Sequence, residues 1–208
     1  MIELNQIIHA DCMDIMKDIP DKYFELAIVD PPYGININHN IGKRKGNKFV
    51  NYKPADWDNE SPNENYFIEL FRVSQNQIIW GANYFISKMP IDSKCWLMWD
   101  KIFSEYVSFS QFELAWTSFD STSKKWEGRK DLNLLHPTSK PVALYKWLLH
   151  NYAEKGDKIL DTHSGSGTTA VACIDMGFEY LAIEKDKDYY EASVKRIAKE
   201  NIKLKLAI

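Results

Sequence analysis

Cysteine is scarce here: three residues, Cys12, Cys95 and Cys173, stand far apart in a chain of 208. An odd, scattered set excludes the paired spacing of a structural zinc site and the framework of a disulfide-stapled secreted domain. The three read as reduced, mostly buried thiols. Five histidines form no HxH or HExxH pattern, so no metal is expected. No apolar run approaches the ~18 residues of a membrane span, and no basic segment leads an apolar core to a small-residue cleavage site. The chain therefore reads as cytoplasmic. An excess of positive charge is also missing: 26 Lys and Arg against 29 Asp and Glu leave a net charge of -3. That balance excludes a surface coated with cations for nonspecific nucleic-acid binding. There is no GK[ST] phosphate loop, no internal repeat and no low-complexity tract.

What is present suits a single domain over residues 1–208, 45% apolar and long enough to bury a proper core. Short runs rich in β-branched and aromatic residues alternate with helical periodicity, the pattern of an α/β sheet with crossover helices. Seven strands are expected: Gln6 to His9, Leu26 to Asp30, Gln77 to Trp80, Cys95 to Trp99, Glu113 to Thr117, Lys158 to Asp161 and Tyr180 to Glu184. Ser61-Pro62-Asn63-Glu64 reads as a capping box leading into a helix with Phe67, Leu70 and Phe71 on one face. Thr138 to Pro141 opens another, with Val142, Tyr145, Leu149 and Tyr152, and a last helix begins near Asp188 with Tyr190, Val194 and Ile197.

Two stretches, 34–60 and 120–135, lack periodicity and exceed the usual length of a loop in a compact domain. Each carries a basic cluster: Lys43, Arg44, Lys45 and Lys48 in the first; Lys124, Lys125, Arg129 and Lys130 in the second. Solvated surface lysines are the plain interpretation. Beside a base-binding site, phosphate contact becomes equally good.

The run Leu26-Ala27-Ile28-Val29 ends in Asp30-Pro31-Pro32-Tyr33. The prolines fix two φ angles and remove two N–H donors, so the carbonyls of Asp30 and Pro31 are held as acceptors in a stiff turn. A planar amino group fits such a turn: the Asp30 carboxylate and the Pro31 carbonyl each accept one N–H, and the Tyr33 ring stacks on the attached base. Because the lone pair of an exocyclic amine is delocalised into its ring, two acceptors that pull the nitrogen toward tetrahedral geometry make it a nucleophile. Trp80, Trp99, Trp116 and Phe119 are candidates for the far wall of the base pocket, although most suit the core better.

A second device lies late in the chain. The strand Lys158 to Asp161 is followed by Thr162-His163-Ser164-Gly165-Ser166-Gly167-Thr168-Thr169 and then a helix. Glycines let a ligand approach the backbone, and the helix start offers free N–H groups. The next strand ends in Glu184, about 20 residues on, where an acid in a Rossmann-like sheet accepts from ribose hydroxyls. A nucleoside cofactor is expected, with Asp161 near a positively charged end of it.

Together, Asp30 to Tyr33, His136-Pro137-Thr138-Ser139-Lys140-Pro141 and Asp161 to Thr169, in that order, resemble the permuted β-group of DNA amino-methyltransferases. These act on adenine N6 or cytosine N4. The resemblance covers nearly the whole chain. It implies a Rossmann-like S-adenosylmethionine-dependent methyltransferase fold with a mixed, roughly seven-stranded sheet and helices on both faces. It implies duplex DNA as partner, with base flipping, and Asp30, Pro31, Pro32 and Tyr33 as the catalytic residues. Asp161, Gly165, Ser166, Gly167 and Thr168 would then line the cofactor pocket, Glu184 would hold the ribose, and Thr138 and Lys140 would sit near the methionine end. Asp11 and Cys12 match the family's segment at the cofactor adenine. Thr162-His163 replaces the family's usual Pro-Phe, leaving open whether His163 packs, titrates or touches cofactor. The Asp form of the tetrapeptide is more typical of adenine enzymes, with cytosine N4 the rival reading. A silent nucleic-acid-binding relative and an RNA or protein methyltransferase follow. A separate target-recognition domain is not expected, so the two basic loops are the expected DNA contacts, and a homodimer is common in the group.

Overall fold

The computed structural model describes residues 2–35, 58–89, 92–102, 110–129 and 139–206, the last four through their backbone. Lys43, Arg44, Lys45, Lys48, Lys130 and Thr138 lie outside the described residues. Eight strands form one sheet: β1 (Gln6–His9), β2 (Phe24–Val29), β3 (Ser74–Trp80), β4 (Trp96–Asp100), β5 (Phe112–Thr117), β6 (Lys124–Glu127), β7 (Lys158–Asp161) and β8 (Glu179–Glu184). Their spatial order is β1-β8-β7-β2-β3-β5-β4-β6. The first five in that order run parallel, β5 is antiparallel to both β3 and β4, and β6 is parallel to β4.

The helices are α1 (Cys12–Met16), α2 (Glu64–Val73), α3 (Val142–Tyr152), α4 (Thr168–Met176) and α5 (Lys187–Leu206). Successive strand side chains point to opposite faces, which divides the core in two. Leu26, Ile28, Ile78, Ile159 and Ala182 pack with Leu144, Leu148, Ala172 and Ile197 of α3, α4 and α5. Ala27, Val29, Ile79, Leu160 and Ile183 pack with Met16, Phe67 and Leu70 of α1 and α2. Both faces are thus covered, which is why the central strands are almost continuously apolar.

Three details depart from the sequence reading, and a fourth decides between its alternatives. β6 is an eighth strand inside the stretch expected to be loop, so Lys124 and Lys125 stand on a sheet edge. The cap of α2 is Asn63, whose side chain accepts from the Tyr66 N–H; Ser61 instead accepts from Lys88 at 2.7 Å. Val194 is exposed whereas Ile197 is buried. Trp80, Trp99 and Trp116 are buried core residues, as the plainer interpretation had them. No helix among the described residues is long and apolar enough to cross a membrane.

Candidate active site

The C-terminal ends of β2, β7 and β8 lie side by side, and each carries an acid: Asp30 just past β2, Asp161 and Glu184 on the last residues of β7 and β8. Crevices beyond the carboxyl ends of parallel strands are the usual ligand sites of such sheets. After Val29 the chain leaves the sheet through Pro31-Pro32, which cannot donate to a ladder. Asp58, 1% exposed, pins this turn by accepting the N–H groups of Tyr33 (2.8 Å) and Gly34 (3.0 Å). Asp58→Ala should therefore lower thermal stability by about 1–3 kcal/mol, the cost of orphaned buried donors. Asp58→Asn, which keeps an acceptor, should lose less in the same melting experiment.

Both Asp30 oxygens are engaged. Oδ1 accepts the Tyr33 hydroxyl at 2.8 Å, and Oδ2 lies 2.5 Å from Lys140 Nζ. The Lys140 side chain is 1% exposed. Its ammonium also meets Glu113 Oε2 at 3.1 Å and donates to the Tyr33 hydroxyl at 3.2 Å. Three donors thus find three acceptors. Burial alone would lower the Lys140 pKa, but the charges of Asp30 and Glu113 outweigh it and hold the group above the ordinary lysine value. Burial, then the same two carboxylates, push the Tyr33 phenol well above its usual range. One face of the Tyr33 ring stacks on Tyr84, centroids 4.9 Å apart and 16° from parallel.

At the glycine turn, Asp161 accepts the Thr169 hydroxyl (2.5 Å) and the His163 N–H (3.1 Å). Burial raises its pKa to about 7, against the lowering effect of those two bonds. Glu184 accepts from Gly165 N at 2.6 Å and Asp186 N at 2.7 Å, and burial raises its pKa as well. Asp11 caps α1, accepting from Met13 N and pairing with Lys185 at 2.8 Å; the Lys185 hydrogen bond holds its carboxyl below the usual value. His163 joins Thr162 Oγ1 at 3.0 Å, which in turn bonds the Tyr66 hydroxyl at 2.7 Å. Burial lowers the His163 pKa to about 4, so the imidazole is neutral near neutral pH.

One cavity of about 870 Å³ takes in both devices: Asp30, Pro32 and Lys140 line it together with Asp11, Cys12, Asp161, His163, Gly165, Ser166, Thr168 and Glu184. Gly167 does not line it. Its φ of +75° turns the chain into α4, and a Cβ there would sit 3.2 Å from Ser193 of α5. Lys140, read from the sequence as a methionine-end residue, has its head on Asp30. Among the basic residues, Lys124 donates to Asn151 and Lys125 pairs with Glu127, while Arg129 is exposed. Between β6 and β2 stand β4, β5 and β3.

Several site residues escaped the sequence reading. Asp58 sat in an aperiodic stretch; Lys101 and Glu113 belong to no motif; Arg196, on a lysine-rich helix, donates to Ser166 O at 3.0 Å and braces the glycine turn. Charged residues flanking fully apolar strands at one end of the sheet were the available signal.

The cleft brings two carboxylate-bearing turns, the Pro-Pro turn after β2 and the glycine turn after β7, to a common space. The chain belongs to the DNA methylase family of N6/N4 amino-methyltransferases, whose model matches residues 77–195. It is 22% identical to the putative methylase YubD of Escherichia coli K12, over 94% of this chain and 91% of that protein. It is 23% identical to the type II methyltransferase M2.LlaDCHI of Lactococcus lactis subsp. cremoris, over 93% and 89%. Among solved structures, the M1.HpyAVI–SAM complex superposes with a TM-score of 0.64 at 18% identity, covering 92% of this chain and 98% of that one. The cytosine-N4-specific PvuII DNA methyltransferase also gives 0.64, at 10% identity and 94% and 90% coverage. These matches show the fold expected from the sequence, that of S-adenosylmethionine-dependent methyltransferases.

Proposed function

We propose that this protein is a DNA adenine-N6 methyltransferase whose cofactor is S-adenosylmethionine and whose substrate is an adenine turned out of the duplex. The observation that carries this reading is the common cavity: Asp30 and the Gly165-Ser166 turn line one space, so an amine held at the first can be reached by a group held at the second. The second half suits the cofactor on its own terms. Ser164 Oγ is buried with no hydrogen-bond partner among the described residues, beside two carboxylates at strand ends and the start of α4.

S-adenosylmethionine supplies the methyl group as an electrophile. The residues supply orientation and charge. Asp30 and the Pro31 carbonyl grip the two amine hydrogens and localise the nitrogen lone pair; Tyr33 holds Asp30 Oδ1 in place beforehand. A duplex hides the amine, so the base is flipped at a cost of a few kcal/mol, offset by contacts in the pocket. The exposed Arg129 and the basic residues of the two clusters serve as phosphate contacts in this reading.

The deciding experiment incubates the protein with methyl-labelled cofactor and unmethylated DNA, RNA or protein, then digests and identifies the product. N6-methyladenine from DNA is expected. N4-methylcytosine, the outcome that the PvuII likeness makes the rival, or label confined to RNA or protein, would overturn the adenine reading.

Asp161 makes cofactor binding pH-dependent. With a folded pKa of about 7 against an ordinary 3.8, the protonated form is favoured in the folded, ligand-free protein. Its contribution to stability is complete below the unfolded value and is lost as pH rises through about 7. A cationic ligand selects the ionised form, so affinity should climb with pH until about 7 and then level off, with a proton released on binding. Calorimetry in buffers of different ionisation enthalpy measures that proton, and Asp161→Asn should remove both effects.

A further inference from the structure

Four charged side chains with little solvent exposure form a line in which signs alternate: Lys101, Glu113, Lys140, Asp30. Lys101 Nζ lies 2.6 Å from Glu113 Oε1, Glu113 Oε2 lies 3.1 Å from Lys140 Nζ, and Lys140 Nζ lies 2.5 Å from Asp30 Oδ2. The four side chains are 10%, 18%, 1% and 22% exposed. Lys140 also sits 5.1 Å from the centre of the buried Trp80 ring, and Lys101 lies 5.4 Å from that of Trp99. Two cations and two anions leave the line neutral, and an internal pair is costly to break because it strands a charge.

An ammonium N–H and an exocyclic amine N–H are donors of the same kind. Lys140 on Oδ2 and Tyr33 on Oδ1 engage both Asp30 oxygens, so an amine that approaches Oδ2 competes with the ammonium. A lysine with one carboxylate partner could not leave it cheaply in so dry a setting. Glu113 changes that balance, because the ammonium already touches it and can move toward it without losing its counter-ion. Lys101 holds Glu113 by its other oxygen.

We propose that Glu113 is a positioning residue for Asp30, acting through Lys140: it shares the lysine ammonium with Asp30 and receives it when a target amine N–H takes the ammonium's place on Asp30 Oδ2. The inference rests on the reading that Asp30 holds that amine. It adds a hand-over step between two carboxylates and assigns a role to a strand residue outside the three sequence motifs.

The test is a cycle of Glu113→Gln, Lys140→Gln and the double variant, assayed with unmethylated genomic DNA beside the wild type. Glu113→Gln should lower kcat about a hundredfold with KM for DNA unchanged, the size of losing one preorganised group. Without a second anion, Lys140 stays on Asp30 and obstructs it. Adding Lys140→Gln removes the obstruction, so the double variant should recover to the kcat of Lys140→Gln alone. Since Glu113→Gln strands Lys101, Lys101→Met/Glu113→Gln restores neutrality and should show the same kcat loss in a folded protein. Losses that multiply in the double variant, or a loss carried by KM, overturn the hand-over while wild-type activity stands. A wild type that methylates no substrate overturns the functional reading instead.

Discussion

Asp30→Ala should reduce methyl transfer at least ~10³-fold while leaving cofactor affinity within about twofold. One preorganised hydrogen-bonding group is worth ~10²–10³ in rate, and in the proposed reaction Asp30 contributes twice, by accepting the amine hydrogen and by placing its negative charge beside a nitrogen that becomes positive. The second half of the expectation follows from the hydrogen bonds at the glycine turn, none of which involves Asp30: Asp161 and Glu184 keep their partners in Thr169, His163, Gly165 and Asp186. Lys140 loses one of its two carboxylates but retains Glu113, so the variant should fold, with a lowered melting temperature. Asp30→Asn separates charge from shape: it keeps an acceptor in place, and it should remain slower than wild type by at least tenfold. Labelled-cofactor turnover and calorimetric titration of the same preparations check both halves. A loss of rate that merely tracks a loss of cofactor affinity would move Asp30 out of its catalytic role.

The parts of this molecule that were legible in its sequence are those held by local pattern. Seven strands showed as apolar runs, and Asp30, Asp161 and Glu184 were readable because each closes such a run at the same end. β6 was not, because Lys124-Lys125-Trp126-Glu127 has three charges in four residues and no apolar alternation; it is a strand through pairing with β4 at the sheet edge, where lysines are common. The charged line that ends on Asp30 was hidden for another reason. Glu113 comes from β5, Lys140 precedes α3 and Lys101 follows β4, so their juxtaposition is set by strand order, with β5 inserted between β3 and β4. No spacing in the chain encodes that. Gly167 was legible as necessary, though a glycine required by a backbone turn, as its φ of +75° shows here, and one required by a ligand look alike in one sequence.

Gly81→Ala, a single added methyl group, should cost about 2–5 kcal/mol and most of the activity. The residue follows β3 at φ +70°, and a Cβ built on it would lie 2.0 Å from Cε1 of the Tyr33 ring. The left-handed conformation costs an L-residue about 1–2 kcal/mol, and overpacking a well-packed site adds about 1–3 kcal/mol. The clash has a direction: it drives the ring off Gly81, and the ring carries the hydroxyl that holds Asp30 Oδ1. The stability loss and the activity loss therefore have separable causes. Gly177→Ala isolates the first, for Gly177 has φ +76° with nothing within 4 Å of its Cβ position, and it should lose about 1–2 kcal/mol with full activity. Tyr33→Phe isolates the second, keeping the ring and removing the hydroxyl, and should lower kcat with a smaller change in stability. Urea unfolding and turnover of the three variants decide the matter: if Gly81→Ala and Gly177→Ala behave alike, the packing of Tyr33 against β3 has no part in holding the catalytic carboxylate.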